Sequence, residues 1–236
     1  MAATIPEGLT RDSGKSKRAR VILDLLDEAL PDAEIALDFD GTFQLLIVTM
    51  LSAQTTDKKV NEISPVLFER WPTPEAMAEA PREELEQVVG PLGFYRQKSR
   101  NIQGTARLLL ERHGGEVPDT MEELTELPGV ARKTANVVLA NGFGINAGVV
   151  VDTHVTRLAR RLQLTRELDP VRIERDLMRL FPQDRWLDVS DLLIHHGRRT
   201  CDAQRPRCDD CAVERLCPSS KLDNRRDKHA TARPRR

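Results

Sequence analysis

The sequence lacks the long apolar segment that a membrane-spanning helix requires. Its longest apolar stretch, residues 43–53, is interrupted by polar residues, whereas a transmembrane helix needs about 20 consecutive apolar residues. The first 20 residues contain no apolar core of a secretory signal peptide. These two absences predict a cytoplasmic, nucleoid-associated protein with no membrane anchor.

The sequence also lacks a net positive charge, since its formal net charge is −1. The charges are nevertheless unevenly distributed. Residues 219–236 carry seven Lys or Arg against two Asp, and residues 1–20 carry five Lys or Arg against two acidic residues. We expect residues 1–15 and 219–236 to be disordered basic tails that either aid solubility or hold DNA weakly. The acidic body would then need a local basic patch to bind DNA strongly.

Strand-like alternation of useful length is absent, while apolar residues recur at helical spacing through most of the chain. Helices are predicted from about residue 16 to Pro31, over the apolar stretch 43–53, and from about Tyr95 to Arg112. The proportions of hydrophobic and charged residues, 39% and 31%, are ordinary for a globular protein. The predicted fold class is all-α.

Cysteine is scarce and confined to one segment, with the spacing Cys201-x6-Cys208-x2-Cys211-x5-Cys217. Disulfides are not expected in a cytosolic protein of this size. Four thiolates within 17 residues can instead ligate zinc or an iron–sulfur cluster, because soft sulfur ligands favour both. The spacing alone leaves the two alternatives open.

A second motif is the segment 127–139, Leu-Pro-Gly-Val-Ala-Arg-Lys-Thr-Ala-Asn-Val-Val-Leu. Its Pro-Gly pair predicts a tight turn between two short helices, the second starting near Val130. Backbone N–H groups at the start of that helix suit an anion such as a DNA phosphate. Lys133 falls in its first turn. Asp152, nineteen residues later, begins another predicted helix, where its ordinary role is an N-cap.

This hairpin, the segment Val-Asp-Thr-His at 151–154 and the cysteine spacing together resemble the endonuclease III family of DNA glycosylases. The resemblance extends over residues 20–217. It implies a two-lobed all-α fold, with a six-helix barrel at 35–146 and a second lobe made of 16–34 and 147–218. The second lobe would carry a [4Fe–4S] cluster on the four cysteines, and DNA would bind in the cleft between the lobes.

The resemblance implies catalytic roles for two residues. The Lys133 amine would attack the sugar C1′, release the base and form a Schiff base, after which β-elimination breaks the strand. Asp152 would assist the nucleophile and stabilise the positive charge that develops on the sugar. Both roles are compatible with the simpler interpretations, which are phosphate binding for Lys133 and helix capping for Asp152.

The resemblance also implies a set of DNA-contacting residues. They are Gln54, Phe94, Gly129, Ala131, Arg132, His154, Arg205 and Arg207. Gln54 would fill the gap left by the extruded base, and Phe94 would act as a wedge in the other strand. The alternatives are a helix C-cap for Gln54, an ordinary exposed histidine for His154, and a solvated basic turn for Arg205 and Arg207.

Three residues depart from the family pattern. Phe94 is aromatic where an aliphatic wedge is expected, Ala131 stands where many hairpins have a second glycine, and Arg199 replaces an aromatic residue. These departures concern the range of substrates rather than the reaction.

These features predict a bifunctional DNA glycosylase and AP lyase that removes oxidised pyrimidines from duplex DNA. Its partner would be double-stranded DNA with a damaged base or abasic site, bound by a monomer. A non-catalytic helix-hairpin-helix DNA-binding module is the main alternative, and a ferredoxin-like electron carrier is a third. The adenine-removing branch of the same superfamily lacks the hairpin lysine, so Lys133 favours the first interpretation.

Overall fold

A computed structural model describes residues 3–222, so the predicted basic tail from residue 223 onward lies outside the described residues. Within this range the chain forms helices and no strand, which confirms the all-α class. In chain order the α-helices are α1 (Lys15–Ala29), α2 (Gly41–Leu51), α3 (Asp57–Arg70), α4 (Pro74–Glu79), α5 (Arg82–Val89), α6 (Tyr95–His113), α7 (Met121–Glu126), α8 (Arg132–Phe143), α9 (Thr153–Arg161), α10 (Pro170–Leu180) and α11 (Trp186–Arg199). Among the described helices, none has the length and apolar character that crossing a membrane would require.

The chain divides into two compact units. One, here called the terminal unit, combines Met1–Glu34 with Gly148–Arg236, and the other, the central unit, is Ile35–Ala147. The central unit, all of whose residues are described, contains the seven helices α2 to α8. That is one more than the six that the family resemblance implies, and two of the seven, α4 and α7, have only six residues each.

The core of the central unit is built around α2, which includes most of the apolar stretch 43–53 that the sequence predicts as a helix. Six of its apolar residues are no more than 6% exposed: Leu45, Leu46, Ile47, Val48, Met50 and Leu51. Burying each of these side chains contributes about 1.5–3 kcal/mol. Helix α8 packs against α2, and Gly142 permits the close approach because a Cβ there would lie 3.2 Å from Leu45 Cδ2. The hairpin helix α8 is therefore anchored on the most deeply buried helix of this unit.

The terminal unit joins the beginning of the chain to its end through Arg18 of α1. This side chain is 3% exposed, and its Nη1 donates to the carbonyl oxygens of Leu162 at 3.0 Å and Leu216 at 3.1 Å. Its Nε donates to the Ser13 carbonyl at 3.0 Å. Burial lowers the pKa of Arg18, although a guanidinium remains charged at any physiological pH. Three backbone carbonyls from distant parts of the sequence thus share one buried cation.

Residues 3–14 differ from the disordered tail expected for residues 1–15. Ile5 and Leu9 pack against the apolar core of the terminal unit, and the Ala3 N–H donates to Glu28 Oε2 at 2.6 Å. The charge and polarity of this segment predict disorder. Its two apolar side chains, four residues apart, nevertheless pack on the core of the terminal unit and hold the segment in place. Residues 3–14 therefore belong to the folded unit.

Asp191 of α11 gives the terminal unit a pH-dependent stability. Burial, together with the nearby carboxylates of Asp188 and Glu34, raises the pKa of Asp191 to about 7, whereas Arg198 acts in the opposite direction. An unfolded Asp titrates near 3.9, so the folded state binds an extra proton between these two pKa values. The free energy of unfolding therefore falls as the pH rises from about 4 to about 7, and the loss persists above 7.

Replacing Asp191 by asparagine is expected to raise the melting temperature at pH 8 by roughly 2–8 °C, because the variant has no carboxylate to desolvate. The difference between variant and wild type should shrink towards zero at pH 4, where the folded protein already carries the neutral acid. Calorimetric melting curves at several pH values between 4 and 8 measure this. The exposed Asp184 provides the control substitution Asp184→Asn. A melting-temperature difference that does not change with pH would contradict the prediction.

Candidate functional site

The hairpin of the central unit connects α7 to α8 through the turn at residues 127–131. Gly129 has φ +81°, the left-handed conformation that favours glycine, and the Val130 N–H donates to the Leu127 carbonyl at 3.1 Å. Helix α8 begins at Arg132, two residues later than predicted. Its N-cap, Ala131, has no side-chain oxygen and makes no capping bond. An anion can therefore take the place of the missing cap.

Lys133 lies where the sequence predicts it, in the first turn of α8. Ala131, Arg132 and Lys133 are all exposed, so the start of the helix presents two cations to solvent. Ala131 is the residue that departs from the common second glycine. Its backbone is extended, with φ −90°, a conformation that any residue can adopt. The departure at Ala131 is therefore accommodated without backbone strain.

Helix α6 packs against the hairpin turn at Pro128 and Gly129. A Cβ at Gly129 would lie 2.7 Å from Asn101 Cγ, so only glycine fits against this side chain. Thr105 Oγ1 donates to the Pro128 carbonyl at 3.1 Å, and a Cβ at Gly104 would meet the Pro128 ring at 3.4 Å. Sequence analysis missed this support. The available signal was a glycine in the middle of a helix, which often marks a close approach.

The two residues predicted to enter DNA, Gln54 and Phe94, lie on neighbouring loops of the central unit. Their φ angles are +55° and +57°, and Gln163 is the remaining non-glycine residue with positive φ in residues 3–222. A Cβ at Gly93 would lie 4.0 Å from the Gln54 carbonyl oxygen, so the loops meet at the backbone. Helix α2 is C-capped by Ser52, not by Gln54. Such strained residues concentrate in functional loops.

Phe94 is the most exposed large apolar residue among those described, at 69%. It is also the N-cap of α6, although its side chain offers no acceptor for a capping bond. An exposed aromatic ring on a left-handed backbone has no evident role in folding. Its placement suits contact with a nucleic-acid base.

Asp152 of the terminal unit caps α9, as its position in the sequence predicts. Its Oδ1 accepts the Val155 N–H at 2.8 Å, and its own carbonyl accepts the Thr156 N–H at 2.9 Å. The residue is half-buried. The capping bond holds the carboxylate in one orientation, which leaves it preorganised to act on a neighbouring charge.

His154 is half-buried rather than fully exposed. Its Nδ1 lies 3.1 Å from Arg157 Nη2. Arg157 Nη2 also donates to the carbonyls of Gly197 at 3.0 Å and Cys201 at 3.1 Å. A Cβ at Gly197 would lie 2.9 Å from the histidine Nδ1. Burial lowers the pKa of His154, and the Arg157 charge acts in the same direction, while Asp152 opposes them. The imidazole is therefore favoured in its neutral form.

The four cysteines, all free thiols and half-buried, line one cavity of about 60 Å³ in the terminal unit. Burial raises the pKa of Cys211 to about 12, and repulsion from the three other sulfurs contributes. Burial also raises the pKa of Cys217. Four thiolates in one apolar cavity therefore require a cation to balance their charge.

Two side chains that sequence analysis missed lie within hydrogen-bond distance of cysteine sulfurs, and one of them, Arg161, donates. Arg161 Nη1 lies 3.3 Å from Cys201 Sγ and 2.6 Å from the Asp202 carbonyl. His196 Nε2 lies 3.6 Å from Cys211 Sγ. Donors of this kind orient thiolate ligands and tune a bound metal group. Arg161 is 40 residues from Cys201 in sequence, so no local pattern pointed to it.

The basic residues around the cysteines have different surroundings. Arg199, the departure from an aromatic residue, forms a two-pronged ion pair with Asp32 at 2.7 and 2.9 Å. Arg207 donates to the Arg199 carbonyl, and its side chain, like that of Arg205, is exposed. The Arg205 N–H donates to Asp202 Oδ1 at 2.6 Å, which shapes the turn. Arg199 thus forms an ion pair within the protein, while the Arg205 and Arg207 side chains are exposed on the cysteine loop.

Among residues 3–222, no three His, Cys, Asp or Glu side chains are arranged around a single metal ion. The four cysteines instead surround a shared cavity. Their common chemical feature is soft sulfur, which binds zinc and iron–sulfur clusters.

Comparison with known proteins places these features in a family. Residues 47–183 match the HhH-GPD superfamily of base excision DNA repair proteins. The chain is 51% identical over 212 residues to endonuclease III of Synechocystis, covering 90% of this chain and 97% of the relative. It is 42% identical to endonuclease III of Escherichia coli K12, covering 86% and 95%.

A solved structure of a trapped endonuclease III–DNA covalent intermediate, an estranged-adenine complex, matches with a TM-score of 0.84 and 40% identity. The match covers 89% of this chain and 98% of that chain. The agreement extends over both units of the protein and confirms the resemblance inferred from the hairpin and the cysteines. The chain therefore belongs to the endonuclease III family, within the HhH-GPD superfamily of base excision DNA repair proteins.

Proposed function

We propose that this protein is a bifunctional DNA glycosylase and AP lyase that excises oxidised pyrimidines from duplex DNA. The observation that carries the proposal is an exposed lysine, Lys133, in the first turn of the hairpin helix. The covalent DNA intermediate trapped in a relative of 40% identity supports a nucleophilic side chain. In this proposal the protein works on chromosomal DNA and is associated with the nucleoid.

In the proposed reaction the neutral Lys133 Nζ attacks C1′ of the damaged nucleotide. The bond between C1′ and the base breaks, and the base leaves with the electron pair and takes up a proton. The attached amine then loses one proton, and the C1′–O4′ bond breaks as O4′ takes up a proton. This leaves a protonated Schiff base, which acidifies the C2′ proton. Removal of that proton expels the 3′ phosphate, so the strand breaks by β-elimination, and water then releases Lys133.

Asp152 has an electrostatic role in this reaction. Its carboxylate is oriented by the bond from the Val155 N–H, so a fixed negative charge is available as positive charge develops on the sugar. It also assists in removing the proton from the attacking amine. Capping and catalysis therefore use the same orientation of one side chain.

The remaining residues hold the DNA. The start of α8, with Gly129, Ala131 and Arg132, binds a phosphate, because the uncapped helix end and the Arg132 charge both favour an anion. Gln54 fills the gap left by the extruded base, and Phe94 wedges into the opposite strand. Phosphate contacts of this kind supply affinity without sequence preference.

The terminal unit adds further DNA contacts in this proposal. Arg205 and Arg207 contact phosphates from the exposed cysteine loop. His154 contributes a neutral imidazole that can bind a phosphate oxygen through a ring N–H while Arg157 holds its other nitrogen. These contacts would be salt-dependent, because each neutralised phosphate releases a counterion.

We propose that Cys201, Cys208, Cys211 and Cys217 bind a [4Fe–4S] cluster. The support is a cavity shared by four sulfurs in a fold whose relatives are endonuclease III proteins. When bound, the cluster supplies the positive charge that the thiolates require and cross-links the loop that carries Arg205 and Arg207.

Replacing Cys208 by alanine is expected to remove the iron and the broad visible absorbance of the purified protein, because three thiolates do not complete the ligand set. Iron and zinc are measured by mass spectrometry on wild type and variant, together with the melting temperature. Asp210→Asn, an exposed substitution in the same short helix Cys208–Asp210, is the control and should keep the iron. Stoichiometric zinc without iron in the wild type would contradict the assignment.

The experiment that tests the proposed function uses a duplex with a single oxidised thymine. Base release, strand cleavage and covalent trapping with borohydride are followed together, and all three are expected. Base release without an adduct would mean that water is the nucleophile. Binding without base release on several lesions would favour the non-catalytic DNA-binding module.

A further inference from the structure

Lys98 is a buried lysine with no part in the proposed mechanism. It is the fourth residue of α6, and its exposed fraction is 6%. Burial lowers the pKa of Lys98. A positive charge close to a helix N-terminus is also unfavourable with respect to the helix dipole. This placement therefore carries two energetic costs.

The contacts of Lys98 link the two loops that carry Gln54 and Phe94. Lys98 Nζ donates to Thr55 Oγ1 at 2.5 Å, and Thr55 Oγ1 in turn donates to the Ala53 carbonyl at 3.4 Å. The Lys98 N–H donates to the Phe94 carbonyl at 3.0 Å. Ala53 and Thr55 flank Gln54, so Lys98 connects the two loops: its buried side chain holds the Gln54 loop, and its backbone N–H holds the Phe94 carbonyl.

Both loops need such an anchor. A left-handed conformation is unfavourable for a non-glycine residue, and Gln54 and Phe94 both adopt it while their side chains are exposed. Neither side chain can stabilise its own backbone by burial. A strained conformation persists only where the surrounding structure holds it in place.

We propose that Lys98 is a positioning residue that holds Gln54 and Phe94 in the conformation required to extrude the damaged base. The inference rests on the proposed function of those two side chains in DNA. Lys98 acts through Thr55 rather than on the substrate, because its amine is buried beneath the loops. It differs in this respect from Lys133, which is exposed.

The test uses Lys98→Met, which keeps the length of the side chain but removes the donor, and Thr55→Val, which removes the hydroxyl that accepts from Lys98 and donates to the Ala53 carbonyl. Base extrusion is reported by the fluorescence of 2-aminopurine placed next to an oxidised thymine, and excision is measured in single turnovers. Both variants should reduce the fluorescence rise and slow excision about 10- to 100-fold. Lys98→Arg should restore part of both signals, and Lys58→Met, at an exposed lysine of α3, is the matched control.

A readout that needs no base extrusion separates positioning from folding. Cleavage of a single-stranded oligonucleotide with a preformed abasic site should stay within about twofold of wild type in Lys98→Met and Thr55→Val. The double variant should be no slower than Lys98→Met, because the two residues act through one hydrogen bond. Equal losses of both activities with a lower melting temperature would overturn the proposal and leave Lys98 a folding residue.

Gln54→Ala and Phe94→Ala distinguish failure of this inference from failure of the proposed function. If both reduce extrusion and Lys98→Met does not, only the role of Lys98 is overturned. If neither reduces extrusion while wild type excises the base, the proposed roles of the two loops fail, and the inference fails with them.

Discussion

Replacing Lys133 by glutamine is expected to abolish strand cleavage and borohydride trapping, and to slow base release by on the order of 10³-fold or more. Glutamine is similar in length and is a good helix former, but its amide nitrogen is not nucleophilic. Because Lys133 is exposed in the first turn of α8, the stability should change by no more than about 0.5 kcal/mol. Denaturing gels of trapped adducts and single-turnover base release measure the effect.

Lys133→Arg is the control that separates a nucleophile from a phosphate-binding cation. Arginine keeps the positive charge and binds phosphate well, but its guanidinium stays protonated and does not form the Schiff base. We therefore expect Lys133→Arg to bind duplex DNA like wild type and to be as inactive as Lys133→Gln. Substantial base release and strand cleavage by Lys133→Arg would show that Lys133 only holds a phosphate.

Replacing Gly129 by alanine is expected to lower the melting temperature by roughly 5–15 °C, because two costs add. The residue has φ +81°, where an alanine Cβ costs about 1–2 kcal/mol. The same Cβ would collide with the Asn101 side chain, and overpacking typically costs a further 1–3 kcal/mol or so. Relief of the collision would displace the turn from α6, so affinity for undamaged duplex DNA should fall as well. Calorimetry and fluorescence anisotropy measure the two effects.

Gly144→Ala isolates the contribution of the collision. Gly144 follows the same helix α8 with φ +68°, but a Cβ there would meet nothing within 4 Å. Its substitution should carry only the backbone cost and leave DNA binding unchanged. Adding Asn101→Ala to Gly129→Ala should recover the overpacking part of the loss. Equal effects at Gly129 and Gly144 would mean that Asn101 moves aside freely and does not support the hairpin.

The parts of the site that could be predicted depend on residues close together in sequence. The Pro-Gly pair at residues 128–129 indicates a turn whatever surrounds it, because glycine supplies the positive φ that the turn needs. Asp152 is recognisable as an N-cap from its own helix, and the bond to the Val155 N–H follows from that local geometry. The cysteines share 17 residues, so their convergence on one cavity required little long-range information.

Most of the predictions that failed or fell short concern residues whose contacts are distant in sequence. Residues 3–14 fold because Ile5 and Leu9 find an apolar surface on the terminal unit, which composition alone does not reveal. Helix α8 starts at Arg132 rather than near Val130, a shift that local patterns rarely resolve. Arg199 was considered for its effect on substrate range, but the structure gives it an ion pair with Asp32, 167 residues away.

By itself, the sequence determined the all-α class, the hairpin turn, the lysine in the first turn of its second helix and the grouping of the four cysteines in one segment. These features follow from periodicity, turn chemistry and ligand spacing, which act over a few residues. Only the tertiary structure decided that Asn101 leaves room for glycine alone at residue 129, and that Lys98 joins the loops of Gln54 and Phe94. Such contacts depend on how whole helices pack, and packing brings together side chains whose separation along the chain carries no local pattern.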